Sequence, residues 1–166
     1  MDDVRKSTRE LIESAFDGVP RPKTSLRQFV LTDQKGMSGT VTEEEWRLAS
    51  ISRTDAKWQD IAALEIEHCD CLLAHMQAQE FRYYLPAYMI YSLDRAQDLK
   101  DMIPGSVVFG LTPSKLDPVY SASQYSLLNA FQREATAAFL AYMAVHAEEY
   151  SKRDAKHALL FWDLST

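Results

Sequence analysis

Apolar side chains recur along this chain at helical rather than strand spacing, and the interruptions fall at glycine and proline. Val4, Leu11, Ile12, Ala15 and Phe16 predict an amphipathic helix over 3–16, with Asp2 or Asp3 available as its N-cap. Gly18-Val19-Pro20-Arg21-Pro22 closes it, because glycine suits a C-terminal cap and proline cannot continue a helix. Leu26, Phe29 and Val30 predict a short second helix after Thr24 or Ser25, ended by the loop Lys35-Gly36-Met37-Ser38-Gly39. Thr42 followed by Glu43-Glu44-Glu45 has the form of a capping box, with Trp46 as the anchor of the helix it opens.

Trp58, Ile61, Leu64, Leu72 and Leu73 then place a central helix near 61–75. Pro86 fits the first position of another helix, where its missing N–H costs nothing, running to about Lys100. Met102 to Pro118 holds three prolines and two glycines around the apolar run Val107-Val108-Phe109, which predicts a short strand or extended segment near 106–112. After Ser121 or Ser123, Leu127, Leu128, Phe131, Ala135, Ala138, Phe139, Tyr142 and Met143 keep helical spacing for some six turns, and a last helix runs from Lys152 to about Asp163. The expectation is an all-α, irregular single-domain bundle of six or seven helices spanning 1–166.

Composition agrees with a packed domain. At 166 residues, 46% hydrophobic and 25% charged, the chain is long enough to bury about 70% of its unfolded surface without metals or disulfides. Five glycines and six prolines are too few for a loop-rich sandwich. The N-terminus lacks the apolar stretch of a secretory signal, and no apolar run reaches the roughly 20 residues of a membrane span, so a cytoplasmic protein is expected. Cys69 and Cys71, one residue apart, are read as reduced thiols.

Eighteen Lys and Arg against 24 Asp and Glu give a net charge of −6. Residues 61–125 are the acidic part, with 4 basic against 8 acidic side chains. No basic patch stands out, which sets nucleic acid aside as a partner. Nucleotide-binding glycine motifs, a P-loop and a Gly-x-Ser-x-Gly elbow are missing too, and no cofactor is expected.

Two groups of residues could carry function. Glu65, His68, Cys71 and His75 fall at i, i+3 and i+7 intervals on the predicted central helix, a spacing that suits zinc or one quarter of a carboxylate-bridged di-iron site. That set is incomplete as a di-iron site, and its plainer reading is two partly exposed histidines and a small core thiol. Tyr84, Tyr88, Tyr91 and Arg95 share one helical face at i, i+4, i+7 and i+11. Tyrosine and arginine are typical interface anchors, and with Glu65, Glu67, Asp94 and Asp98 they form a candidate acidic binding face. Packing of those tyrosines inside, hydroxyls satisfied, is the other reading.

Phe16-Asp17-Gly18-Val19-Pro20, Glu44-Glu45-Trp46, Tyr83-Tyr84-Leu85-Pro86-Ala87-Tyr88-Met89 and Phe109-Gly110-Leu111-Thr112 together resemble a family of short bacterial proteins known only as a domain of unknown function. A Tyr-Leu-Pro-Ala-Tyr helix start and a Phe-x-Leu-Thr segment carry the likeness, from about Phe16 to Trp162. The resemblance implies a bacterial stand-alone domain and transfers no catalytic residue. The functional expectation is therefore a non-catalytic protein-binding domain, of immunity or antitoxin-like character, that masks a basic partner protein. The alternative is a metal-dependent enzyme or sensor built on the cluster at 65–75.

Overall fold

The computed structural model describes residues 3–35, 39–70 and 73–163. Among them the chain is helical with no strand: α1 (Asp3–Ala15), α2 (Leu26–Lys35), α3 (Glu43–Ile51), α4 (Ala63–His68), α5 (Ala78–Arg95), α6 (Ile103–Gly110), α7 (Pro118–Tyr125), α8 (Ala130–His146) and α9 (Glu149–Asp163). Short 3-10 turns stand at Trp58–Asp60 and Leu73–His75. The all-α expectation holds, but with nine helices among the described residues rather than six or seven. None of them is long and apolar enough to cross a membrane.

Helix α5 is the axis. Phe81, Tyr83 to Met89, and Tyr91 to Leu93 are all buried, so its middle is enclosed by neighbouring elements, while Gln79 and Asp94 near its ends are exposed. It packs against α1, α4, α6, α7, α8 and both 3-10 turns. Around it, α8 lies against α9 and α1, and α6 against α9. The buried apolar residues form one cluster, from Ile12 and Phe16 in the first helical region to Trp162 in the last.

Local chemistry explains most helix ends. Gly18, at φ 69°, supplies the left-handed residue that turns the chain out of α1. The Thr42 hydroxyl accepts from the Glu45 amide while the Glu45 carboxylate accepts from the Thr42 amide, which is the predicted capping box. Asn129 and Gln132 build a second one at the start of α8.

Several boundaries depart from the sequence reading. Pro86 is not the first residue of its helix but the ninth of α5, which begins at Ala78 and stops at Arg95 instead of Lys100. Burial of Phe81, Tyr83, Tyr84 and Leu85 before the proline outweighs the hydrogen bond it removes. The extended segment near 106–112 is instead α6: Pro104 occupies its first turn, and the Asp101 carboxylate accepts from the Ile103 amide. The long C-terminal helix is divided, since Ser126–Asn129 separate α7 from α8, and α9 starts at Glu149, where Glu148 accepts from the Tyr150 and Ser151 amides. Trp58 and Trp162 are core residues, each donating its indole N–H at 2.8 Å, to the Phe16 and Leu111 carbonyls. Trp46 is no core anchor; it is 40% exposed on α3.

The predicted 35–39 loop is described only at its ends, Lys35 and Gly39. Helix α6 is pressed close to the molecule at Gly110, where a Cβ would sit 3.2 Å from the Leu73 Cβ. Leu73 is buried in its 3-10 turn and its Cβ cannot rotate aside. Gly110→Ala is therefore expected to cost about 1–3 kcal/mol by overpacking, against a neutral Gly39→Ala, which meets nothing within 4 Å. Urea unfolding of the two variants beside the parent chain checks this; equal midpoints would contradict the close approach.

Candidate functional site

The tyrosines nominated as a binding face point into the molecule. Tyr84, Tyr88 and Tyr91 are no more than 5% exposed, and each hydroxyl donates to a different non-helical segment. Tyr84 donates to the Thr24 carbonyl at 2.8 Å, Tyr88 to the Cys69 carbonyl, and Tyr91 to Asp101 at 2.6 Å. Burial pushes the Tyr84 and Tyr91 phenols well above their ordinary range, and Asp101 raises Tyr91 further. These residues hold the fold rather than offer a surface.

The charged members of that face are dispersed. Glu65 forms a bidentate pair with Arg27 at 2.9 and 2.6 Å. Asp94 takes Arg9 at 2.8 Å and lies 3.9 Å from Arg5. Only Glu67, Tyr91 and Arg95 stay together: the Arg95 guanidinium lies 4.0 Å from the Tyr91 ring centre and donates to Glu67 at 3.2 Å. Asp101 completes that group, 3.6 Å from Arg95.

The metal set is not assembled. The central helix stops at His68, with Cys69 at φ −125°, ψ 42°, so the i, i+3, i+7 alignment to His75 does not form. Glu65 is held by Arg27, and the exposed His75 lies 3.5 Å from Asp33 instead. Cys71 lies outside the described residues; among those described, no three His, Cys, Asp or Glu side chains are grouped to hold an ion. Cys69 is buried 3.9 Å from Glu65, and burial, reinforced by that carboxylate, pushes its thiol up to about 12.

Another ionic group is internal. Arg53 and Asp55 pair at 2.6 Å with about a tenth of each side chain exposed. Tyr83 donates to Asp55 at 2.7 Å, and Arg53 donates to the Pro22 carbonyl at 2.8 Å and to the Tyr84 hydroxyl at 3.3 Å. Burial alone would raise the Asp55 carboxyl, but the hydrogen bonds from Arg53 and Tyr83 prevail and hold it below its ordinary value. This network ties the 21–24 and 52–55 segments to α5 and encloses about 20 Å³, too little for a substrate.

The open chemistry lies elsewhere, along α6. A groove of about 580 Å³ runs between the end of α5, α6 and the start of α9, lined by Leu99, Met102, Phe109 and Tyr150. These four are 78%, 70%, 69% and 64% exposed. Asp98, Asp101 and Glu148 form its rim, with no Lys or Arg among its lining residues. All three carboxylates are fixed by backbone amides: Asp98 accepts from Lys100, Asp101 from Ile103, and Glu148 from Tyr150 and Ser151. The Ser151 hydroxyl, above all, keeps Glu148 below the ordinary carboxylate range. A second hollow of about 470 Å³ shares Phe109 and Ala74 with the first and ends at Lys115, Leu116 and His157.

Of the nominated residues, Asp98 and His75 line this groove directly, and Tyr91 and Arg95 reach its edge through Asp101. Leu99, Met102, Phe109 and Glu148 were missed. The available signal was α6 itself, an eight-residue run with apolar side chains at five positions, Ile103, Pro104, Val107, Val108 and Phe109, which a single packing partner cannot cover. A larger depression between α8 and α9, about 840 Å³, has alanine at four of its eight lining positions and is open surface.

A family described as a family of unknown function (DUF6714) matches residues 4–165. No curated protein and no solved structure matches the chain.

Two outcomes are expected from the buried groups. Asp55→Ala strands Arg53 and should cost about 3–5 kcal/mol, whereas Asp94→Ala, which breaks a half-exposed pair, should cost less than about 1 kcal/mol. Because the folded Asp55 carboxyl lies below its ordinary 3.8, its contribution is complete above that value and is lost as pH falls through the lower folded one. Denaturant titrations at neutral and acid pH measure both effects, and equal losses for the two variants would refute the assignment. In a Cys71→Ser background, Cys69 should resist iodoacetamide at pH 8 until the protein is unfolded; rapid labelling of the folded chain would contradict its enclosure.

Proposed function

We propose, for a chain that belongs to this family of unknown function, that it is a non-catalytic, cytoplasmic bacterial protein-binding domain, and that its α6 groove masks a basic partner protein in immunity or antitoxin fashion. One observation carries the reading: an exposed apolar surface of Leu99, Met102 and Phe109 beside the carboxylates of Asp98, Asp101 and Glu148, with no Lys or Arg among the groove's lining residues. Apolar anchors supply affinity by leaving water, while the carboxylates select a cationic partner and speed its approach. The overall charge of −6 acts in the same direction at longer range. Rim carboxylates held by backbone amides need little reordering on docking, which lowers the cost of binding.

Support against a catalytic reading comes from the interior. The Cys69 thiol is enclosed and protonated, and the Tyr83, Tyr84 and Tyr91 hydroxyls and the Asp55 carboxylate are engaged in bonds that hold loops to α5. None faces a hollow large enough for a substrate beside a free nucleophile.

The test places a photoreactive amino acid at Met102 and, as control, at Trp46 of the chain expressed in its native host. The expected result is one discrete adduct at Met102, lost in Phe109→Asp and retained when Trp46 is changed to Ala. Against the isolated adduct protein, Phe109→Asp should weaken binding about 100-fold or more, and raised salt should slow association. An adduct unaffected by Phe109→Asp, or none at Met102, would overturn the proposal.

A further inference from the structure

The shape and polarity of this groove restrict what can lie in it. Resting on the protein-binding reading above, we infer that the occupant is an amphipathic helix of the partner, lying along α6 with its basic end over Asp98, Asp101 and Glu148.

The secondary structure of the occupant follows from backbone chemistry. A segment bound by strand addition needs its N–H and C=O groups paired by an open sheet edge. Among the described residues this chain has no strand and therefore no edge. The groove residues Leu99, Met102, Phe109 and Tyr150 offer carbon surface instead. A helix satisfies its own backbone internally, so it can bury an apolar face there without stranding polar groups.

Length and spacing point the same way. Helix α6 spans eight residues, about 12 Å at roughly 1.5 Å per residue, which matches a little over two turns of a helix laid alongside it. Phe109 lies between the two hollows and lines both. A ligand helix straddling it has to place apolar residues on either side, at i, i+3 or i+4, and i+7.

Charge sets the direction. The hollow at the start of α6 carries Asp98, Asp101 and Glu148 together with His75; Asp101 is already paired with Arg95, whereas Asp98 Oδ2 has no partner among the described residues. The far end carries Lys115, which forms no ion pair among the described residues, and His157. A helix with Lys or Arg at one end and a carboxylate at the other matches both ends at once; the reverse placement puts like charges together.

The test is a selection on the intact chain with two displayed peptide libraries: one randomised on a stable helical scaffold of about three turns, the other linear with an internal proline. Phe109→Asp and Met102→Lys serve as counter-targets, both at exposed positions, with circular dichroism confirming their fold. Expected are binders from the helical library with apolar residues at i, i+3 or i+4 and i+7 and Lys or Arg at one end. Their affinity should fall at least about tenfold on Phe109→Asp and several-fold on Asp98→Asn, which retains the oxygen facing the Lys100 amide. Phe109-sensitive binders confined to the linear library, or lacking a basic end, would overturn the helix inference and leave the docking groove standing. Absence of Phe109-sensitive binders from both libraries would overturn the inference and the groove together.

Discussion

The fold depends on the phenolic hydroxyls of α5. Four tyrosines of that helix each donate to a segment that has no regular structure of its own: Tyr83 to Asp55, Tyr84 to Thr24, Tyr88 to Cys69, Tyr91 to Asp101. A tyrosine suits this task because its ring fills core volume while its oxygen reaches a polar group that burial would otherwise strand. The same side chains thus pack the centre and position the loops. Without them α5 would be an apolar rod around which the connections had no fixed register.

That arrangement separates interior chemistry from surface chemistry. Groups that look reactive in the sequence, the tyrosines, Cys69 and Glu65, are engaged in the interior or in ion pairs. What remains open is carbon surface around α6 and the carboxylates that cap neighbouring helices. Asp101 belongs to both worlds, since it accepts from the buried Tyr91 and from the first amide of α6 while facing the groove.

Much of the fold was legible where it rested on local rules. The end of α1 at Gly18, the capping box at Thr42 and the helical nature of 3–16, 26–35 and 130–146 all follow from nearest-neighbour chemistry. Misreadings arose where tertiary burial decided. Pro86 looks like a helix start, yet packing around α5 holds it in mid-helix; Val107-Val108-Phe109 looks like a strand because a short apolar run has no period to distinguish the two. The candidate site was less legible still. Tyr84, Tyr88 and Tyr91 do share a helix face, but which way that face points depends on how many elements surround α5. Exposure of Phe109 is likewise set by what fails to cover α6.

The pairing of the first long helical region with the last has a consequence for how the chain comes off the ribosome. Ile12 and Phe16 are buried in a cluster that α8 helps to form, and Trp162 closes it by donating to the Leu111 carbonyl. An emerging N-terminal half therefore leaves the apolar side chains of α1 and α5 without the C-terminal partners that cover them. Native structure waits for nearly the whole chain to clear the exit tunnel, because the helices that complete the core are synthesised last.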